Sequence, residues 1–325
     1  MPTANRRVIQ AVSHGPSCFD GVVAAATVAR FYRGHRVIPI LAANGESDEK
    51  IQALKLKAGG DGDEIWITDL SWNSTETAKH LGGLARAGAD IYWIDHHRTA
   101  VSRADAPEFK VPFRGKVLSE RFSAARLTYN FLSRRLAANN RKSFERFFPL
   151  VELADDHDRW VQRLPASADW ALAVQTLGGK LAYKEILRMD EPRMTPVLRA
   201  AMEQGRDAMA KSLKLALSTM LERPLANGLK LRTACCFGYS SEVAAELYKD
   251  QTRTVIALFD LRSQGVSLRR SADCEVDLSE TARSFGGGGH AAASGFMRND
   301  LAQSPAEKLA SILGDRLEAL PPANL

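Results

Sequence analysis

Apolar and polar positions along the first hundred residues fall into blocks that alternate between two periods. Short apolar runs at residues 7–13, 35–42, 64–69 and 89–95 have the length and the β-branched and aromatic content of buried strands. Between them, residues 21–32 (rich in Ala and Val), 48–57 and 74–87 carry helical character, the last opening on Ser74 as a cap. Repeated strand–helix–strand units with short connections predict a mostly parallel sheet with helices on both faces. Three of the strands lead into a polar residue capable of chemistry: His14, Asp69 and Asp95. Open α/β sheets hold ligands at that carboxyl edge.

Residues 123–160 show apolar positions three and four apart and read as helical. Residues 192–221 read as a long helix charged on one face, suited to a connector. From Gly228 the pattern changes to a strand at 229–237, a helix at 240–249 and a hairpin over 252–260 and 265–269. A helix at 278–285 then leads into Gly286-Gly287-Gly288-Gly289-His290, and a terminal helix spans 305–320. The predicted organisation is α/β and bilobed. A catalytic domain covers 1–190, a helical connector 191–227, and a smaller α/β domain 228–325.

At 325 residues, 45% hydrophobic and 25% charged, the composition is that of a soluble globular protein. The apolar stretch at 21–29, bounded by Asp20 and Arg30, is far short of the roughly 18 residues a membrane span needs. The N-terminus lacks the apolar core of a signal peptide, and two of the four cysteines, Cys235 and Cys236, are adjacent and poorly placed to pair. A reducing cytoplasm is expected. The net charge of +6 is uneven: residues 110–146 hold ten Lys or Arg against Glu120 and Glu145, a balance that attracts polyanions.

The candidate metal ligands are His14, Asp20, Asp69, Asp95, His96, His97 and Asp156, all hard oxygen or borderline nitrogen donors. Such a set suits Mn²⁺ or Mg²⁺, and less specifically Zn²⁺, Co²⁺ or Fe²⁺. Carboxylates from several strand ends, one free to bridge, describe a two-metal site, in which ions about 3.5–4 Å apart hold a hydroxide nucleophile. His35, His80 and His157 are assigned no role, and Cys235, Cys236 and Cys274 read as small buried apolar residues. The four glycines offer bare backbone N–H groups to an anionic ligand.

These strings resemble the DHH phosphoesterase family. His14 to Gly21, Asp69, Asp95-His96-His97 and the stretch Asp155 to Trp160 are similar to its four successive motifs. Ser267 to Arg269 and Gly286 to Phe296 are similar to the substrate-binding motifs of the DHH-associated C-terminal subdomain. The resemblance implies a bilobed, Mn²⁺-dependent hydrolase of phosphoester bonds with two ions, Mg²⁺ or Co²⁺ being alternatives. Its substrate would be a short single-stranded oligonucleotide or nucleotide phosphate, with no membrane partner and homodimer formation left open. It further implies that His14 and Asp69 hold one ion, that Asp20, His96 and Asp156 hold the other, and that Asp69 bridges. Counting back from Trp160 selects Asp156, with Asp158 a structural acid. Asp95 would orient the histidines and His97 would lie beside the attacked phosphorus. Arg269, rather than its neighbour Arg270, would clamp the phosphate, and Gly287, Gly288, Gly289 and His290 would close over it. Cys18 stands where many members carry an acid, so its thiolate is a further candidate ligand that would favour softer ions. The rival readings are a catalytically silent nucleotide- or nucleic-acid-binding protein, and a polyphosphate hydrolase.

Overall fold

A computed structural model describes residues 8–56, 62–106, 109–136, 138–249, 251–298 and 305–319. Strand and helix alternate, as the hydrophobic pattern predicts as far as the fourth strand: β1 (Val8–His14), α1 (Phe19–Phe31), β2 (Arg36–Ala42), α2 (Ser47–Gln52), β3 (Glu64–Thr68), α3 (Thr75–Arg86) and β4 (Asp90–Asp95), followed by α4 (Arg98–Arg103) and β5 (Gly115–Leu118). The five strands are parallel, in the order β2-β1-β3-β4-β5. Chain direction across the sheet reverses between β1 and β3, and such a switch opens a crevice at the strands' carboxyl ends. His14 ends β1 and Asp69 follows β3, so both stand at that crevice.

The period of two along each strand divides the core. Ile65, Ile67, Ile91 and Trp93 pack on the face covered with Leu81 of α3, whereas Trp66, Tyr92 and Ile94 pack on the face shared with α1. Each such fully buried side chain contributes about 1.5–3 kcal/mol. Helix α1 is buried continuously from Phe19 to Val28, which its Ala- and Val-rich sequence permits. Around it lie α5 (Ala124–Ser133), α6 (Ala138–Glu145), α7 (Phe148–Asp158), α8 (Ala166–Leu177) and α9 (Gly179–Arg188).

The chain divides into two compact units, 1–205 and 206–325, and the division falls within α10 (Pro196–Thr219). The second unit contains β6 (Leu221–Pro224), β7 (Lys230–Cys236), α11 (Ser240–Tyr248), β8 (Thr254–Asp260), β9 (Gly265–Arg270), α12 (Leu278–Arg283), β10 (Gly288–Gly289), β11 (Ala293–Met297) and α13 (Pro305–Glu318). Its mixed sheet has the order β10-β11-β9-β8-β7-β6, with β8 and β9 forming the expected hairpin. Strands β5, β6, β10 and β11 and helices α4, α8 and α9 were not resolved by the hydrophobic pattern. The expected element ends at Arg7, Lys57 and Leu320 lie outside the described residues.

Candidate active site

The loop after β1 turns into α1 at Cys18, whose Sγ accepts the Gly21 amide at 3.4 Å. A side-chain carbon on Gly21 would press on the His14 carbonyl and lie 2.9 Å from Asp69 Oδ2, so glycine lets the helix start this close to β1. Asp20, 1% exposed, turns toward the start of α5 and accepts the amides of Ala124 (2.8 Å) and Ala125 (3.0 Å). Those are N–H groups that a helix leaves without an internal partner.

Asp69 sits in the left-handed region at φ 55°, a conformation costly for most residues and tolerated by Asp and Asn. Its two carboxylate oxygens face different neighbours. Oδ2 lies 3.3 Å from Cys18 Sγ and 3.7 Å from His14 Nδ1, whereas Oδ1 lies 3.2 Å from His96 Nε2. His96 Nε2 is also 3.5 Å from Asp158 Oδ2 and 3.9 Å from Asp20 Oδ2. Beneath the pair of histidines, Asp95 Oδ1 accepts from the His96 amide (2.7 Å), the His97 amide (3.3 Å) and His97 Nδ1 (2.8 Å). Among the described residues of the first unit, the possible donor sets include His14–Cys18–Asp69, Asp20–His96–Asp158 and Asp69–Asp95–His96–His97, the ligand atoms of each lying within 4.8 Å of one another.

Electrostatics shows a site short of positive charge. Burial pushes the Asp20 carboxyl well up, and Asp69 and Asp158 push the same way. Burial likewise raises Asp158. The Cys18 thiol is driven well up by burial and then by Asp69, Asp20 and Asp158. Burial opposes ionisation of Asp69 too, but the imidazoles of His14 and His96 outweigh it and hold that carboxyl below the usual range. Burial would lower His96, yet Asp158, Asp69 and Asp20 raise it well above an ordinary imidazole. A divalent cation reverses the upward shifts on the acids and the thiol, so the donor set fits one.

In the second unit, Arg269 and Arg270 point to opposite faces of β9. Arg269 donates to Ser241 Oγ of α11 (2.7 Å), Ser267 Oγ (2.9 Å) and the Leu268 carbonyl (2.8 Å). Arg270 donates instead to the carbonyls of Ala291 and Cys274. The four glycines form less of a loop than their composition predicts. Gly288 and Gly289 are strand β10, paired with Gly295 and Ser294. An added carbon on Gly287 would collide with the Gly295 carbonyl and Phe296, so strand packing alone requires glycine there. His290 begins the turn that follows, exchanging backbone hydrogen bonds with Ala293.

No protein-family model matches the chain. Oligoribonuclease NrnB of Bacillus subtilis is 28% identical over 263 residues, 76% of this chain and 62% of that protein, so the chain spans less than two thirds of that relative. That relationship supports the resemblance of the chain to the DHH phosphoesterase family. Two solved structures share its fold. RecJ of Thermus thermophilus in complex with Mn²⁺ has a TM-score of 0.58 at 16% identity, covering 98% of this chain and 53% of that one. The pGpG-specific phosphodiesterase PggH of Vibrio cholerae has a TM-score of 0.51 at 14% identity, covering 97% and 99%.

One candidate ligand of the sequence lies apart from the others. Asp156 does not join the donor sets. Its carboxylate accepts the amides of Arg163 (2.8 Å) and Leu164 (3.3 Å) and the Ser167 hydroxyl (2.6 Å), tying α7 to the start of α8. Two residues along a helix is about 200° of rotation, so Asp158 points the other way, toward His96. Asn44 also escaped the sequence reading. Its Oδ1 lies 3.0 Å from His14 Nε2, and the other ring nitrogen, Nδ1, is the one 3.7 Å from Asp69 Oδ2. The available signal was positional, because Asn44 follows β2 at the same carboxyl edge of the sheet.

Proposed function

We propose that the chain is a metal-dependent phosphoesterase acting on short single-stranded oligonucleotides or nucleotide phosphates, with Mn²⁺ as its ion. The division of the Asp69 carboxylate between two donor sets carries the reading. His14, Cys18 and Asp69 would hold one ion, Asp20, His96 and Asp158 the second, with Asp69 common to both. Bound divalent ions supply Lewis acidity toward a phosphoryl oxygen and toward an attacking water.

The chain's own groups orient and hold. Asp95 fixes the His96 backbone and the His97 ring and favours the His97 imidazolium, which would donate a proton from Nε2 toward a phosphoryl or leaving-group oxygen. Arg269 offers a planar fork to a phosphate, with His290 and the glycine stretch beside it in the second unit. Two names support the substrate class: the NrnB relative is an oligoribonuclease, and the PggH neighbour is specific for pGpG. The basic stretch at 110–146 agrees with a polyanionic substrate. Among the described residues no helix is long and apolar enough to cross a membrane, and a cytoplasmic setting belongs to the same proposal.

The decisive assay uses Mn²⁺ and a panel of labelled dinucleotides, longer oligomers, 3′-phosphoadenosine phosphate, cyclic dinucleotides and polyphosphate. Short oligonucleotides should be turned over, and Asp69→Asn, which tolerates the left-handed backbone, should reduce kcat by at least about 100-fold. Wild-type kcat in Asp69→Asn, or turnover independent of divalent ions, overturns the proposal.

A further inference from the structure

Strand β5 lies beside the strand that carries Asp95. Asp95 pairs with Leu118, and the Ser119 amide donates to the Asp95 carbonyl at 3.2 Å. The chain then passes through Glu120, Arg121 and Phe122 to Ser123, whose hydroxyl accepts the Arg126 amide and caps α5. The next two amides, of Ala124 and Ala125, are those that Asp20 accepts. Residues 119–123 are therefore a carboxyl-edge loop fixed between Asp95 on one side and Asp20 on the other.

Three guanidinium groups surround Phe122, with their carbons 5.2 Å (Arg121), 5.6 Å (Arg126) and 5.7 Å (Arg159) from its ring centroid. Arg126 also lies 4.2 Å over Phe148, and Arg159 directly follows Asp158 in the chain. Glu152 pairs with Arg126 (3.5 Å) across α5 and α7, and Asp155 pairs with Arg159 (3.2 Å) along the end of α7, so those two are accounted for. Arg121 is not, being exposed and meeting no carboxylate among the described residues. An unpaired arginine against an aromatic ring, beside groups that handle phosphate, matches the chemistry of a single-stranded nucleic acid. A guanidinium plane stacks on a base and its N–H fork takes a phosphate.

We propose that Arg121 and Phe122, backed by Arg126 and Arg159, hold the nucleotide flanking the scissile phosphate. The inference rests on the phosphoesterase reading and narrows it to an oligonucleotide chain, because a lone nucleotide phosphate leaves this surface unused. The test is fluorescence anisotropy of a fluorescein-labelled, phosphorothioate-linked single-stranded pentanucleotide with the full chain and Mn²⁺. Arg121→Ala should weaken binding about tenfold and reduce the slope of log K against log salt by about 0.7, the loss of one phosphate contact. Phe122→Leu should weaken binding with the salt slope unchanged. Lys79→Ala, an exposed cation on α3, should match wild type in both. A wild-type Kd and salt slope in Arg121→Ala overturn the platform even if oligonucleotides are cleaved. Arg121-dependent binding by a protein that cleaves nothing refutes the catalytic reading and leaves the platform standing.

Discussion

Asp156 and Asp158 stand two residues apart on α7, and their alanine variants should fail in different assays. Asp156 is 5% exposed and closes the turn from α7 into α8 through the Arg163 and Leu164 amides and the Ser167 hydroxyl. Hydrogen bonds to a charged group are worth about 1.5–3 kcal/mol each, but these three act together as one cap. Asp156→Ala should therefore cost about 2–4 kcal/mol. For a unit of this size that lowers Tm by roughly 5–15 °C. Burial opposes ionisation of Asp156, yet Ser167 and the two amides outweigh it and hold its carboxyl below the usual range. A depressed folded-state pKa means that this stabilisation is complete above the unfolded value of about 3.9 and is lost as pH falls through the folded one. The stability gap between wild type and Asp156→Ala should accordingly close below about pH 4. Mn²⁺ affinity of the variant, by titration calorimetry, should stay near wild type. Asp158→Ala should do the reverse, weakening Mn²⁺ by at least about tenfold. Its metal-free Tm should be unchanged or raised, because a charge repelling Asp20 and Asp69 is gone. If Asp156→Ala loses Mn²⁺ while melting like wild type, the reasoning about α7 is wrong.

Cys18→Asp should tighten Mn²⁺ relative to Co²⁺ and abolish a sulfur-to-metal absorption band in the Co²⁺-loaded protein; an identical Co²⁺ spectrum means that the thiol does not touch the ion. Gly21→Ala forces a carbon against the His14 carbonyl and should cost about 1–3 kcal/mol in a denaturant titration, with weaker Mn²⁺ binding in the folded fraction. Arg269→Ala should reduce nucleotide affinity about tenfold. Arg270→Ala should instead lower stability, since that side chain tethers the Cys274 and Ala291 carbonyls; equal effects on affinity from the two variants count against the Arg269 assignment.

The parallel sheet was legible because β1, β3 and β4 are buried on both faces and so read as continuous apolar runs between helical segments. The carboxyl-edge placement of His14, Asp69 and Asp95 followed from strand ends alone. Choosing between Asp156 and Asp158 did not, because it depends on which way α7 is rotated, and the hydrogen bonds that set this come from Arg163, Leu164 and Ser167, which follow α7. Spacing back from Trp160 carries no information about that rotation. The strand pairing of the glycine stretch was hidden for a related reason. Four glycines look like loose chain, but Gly287 and Gly289 are small because β11 passes against them, a non-local contact that composition does not encode. Strand β5 has four residues and no full alternation, too short for a periodic signal.

Asp20 serves two masters. Its carboxylate satisfies the first amides of α5 and also faces His96 in a proposed donor set. An ion held by the proposed set would thus be thermodynamically linked to the folding of the first unit through one side chain. An ion at about 100 times its Kd adds about 2.7 kcal/mol to the stability of whatever fold binds it. A chelator would then act on this chain as a mild denaturant, and the end of α5 whose amides Asp20 accepts, together with the loop from Ser119 to Ser123, would be the first to exchange its amide protons.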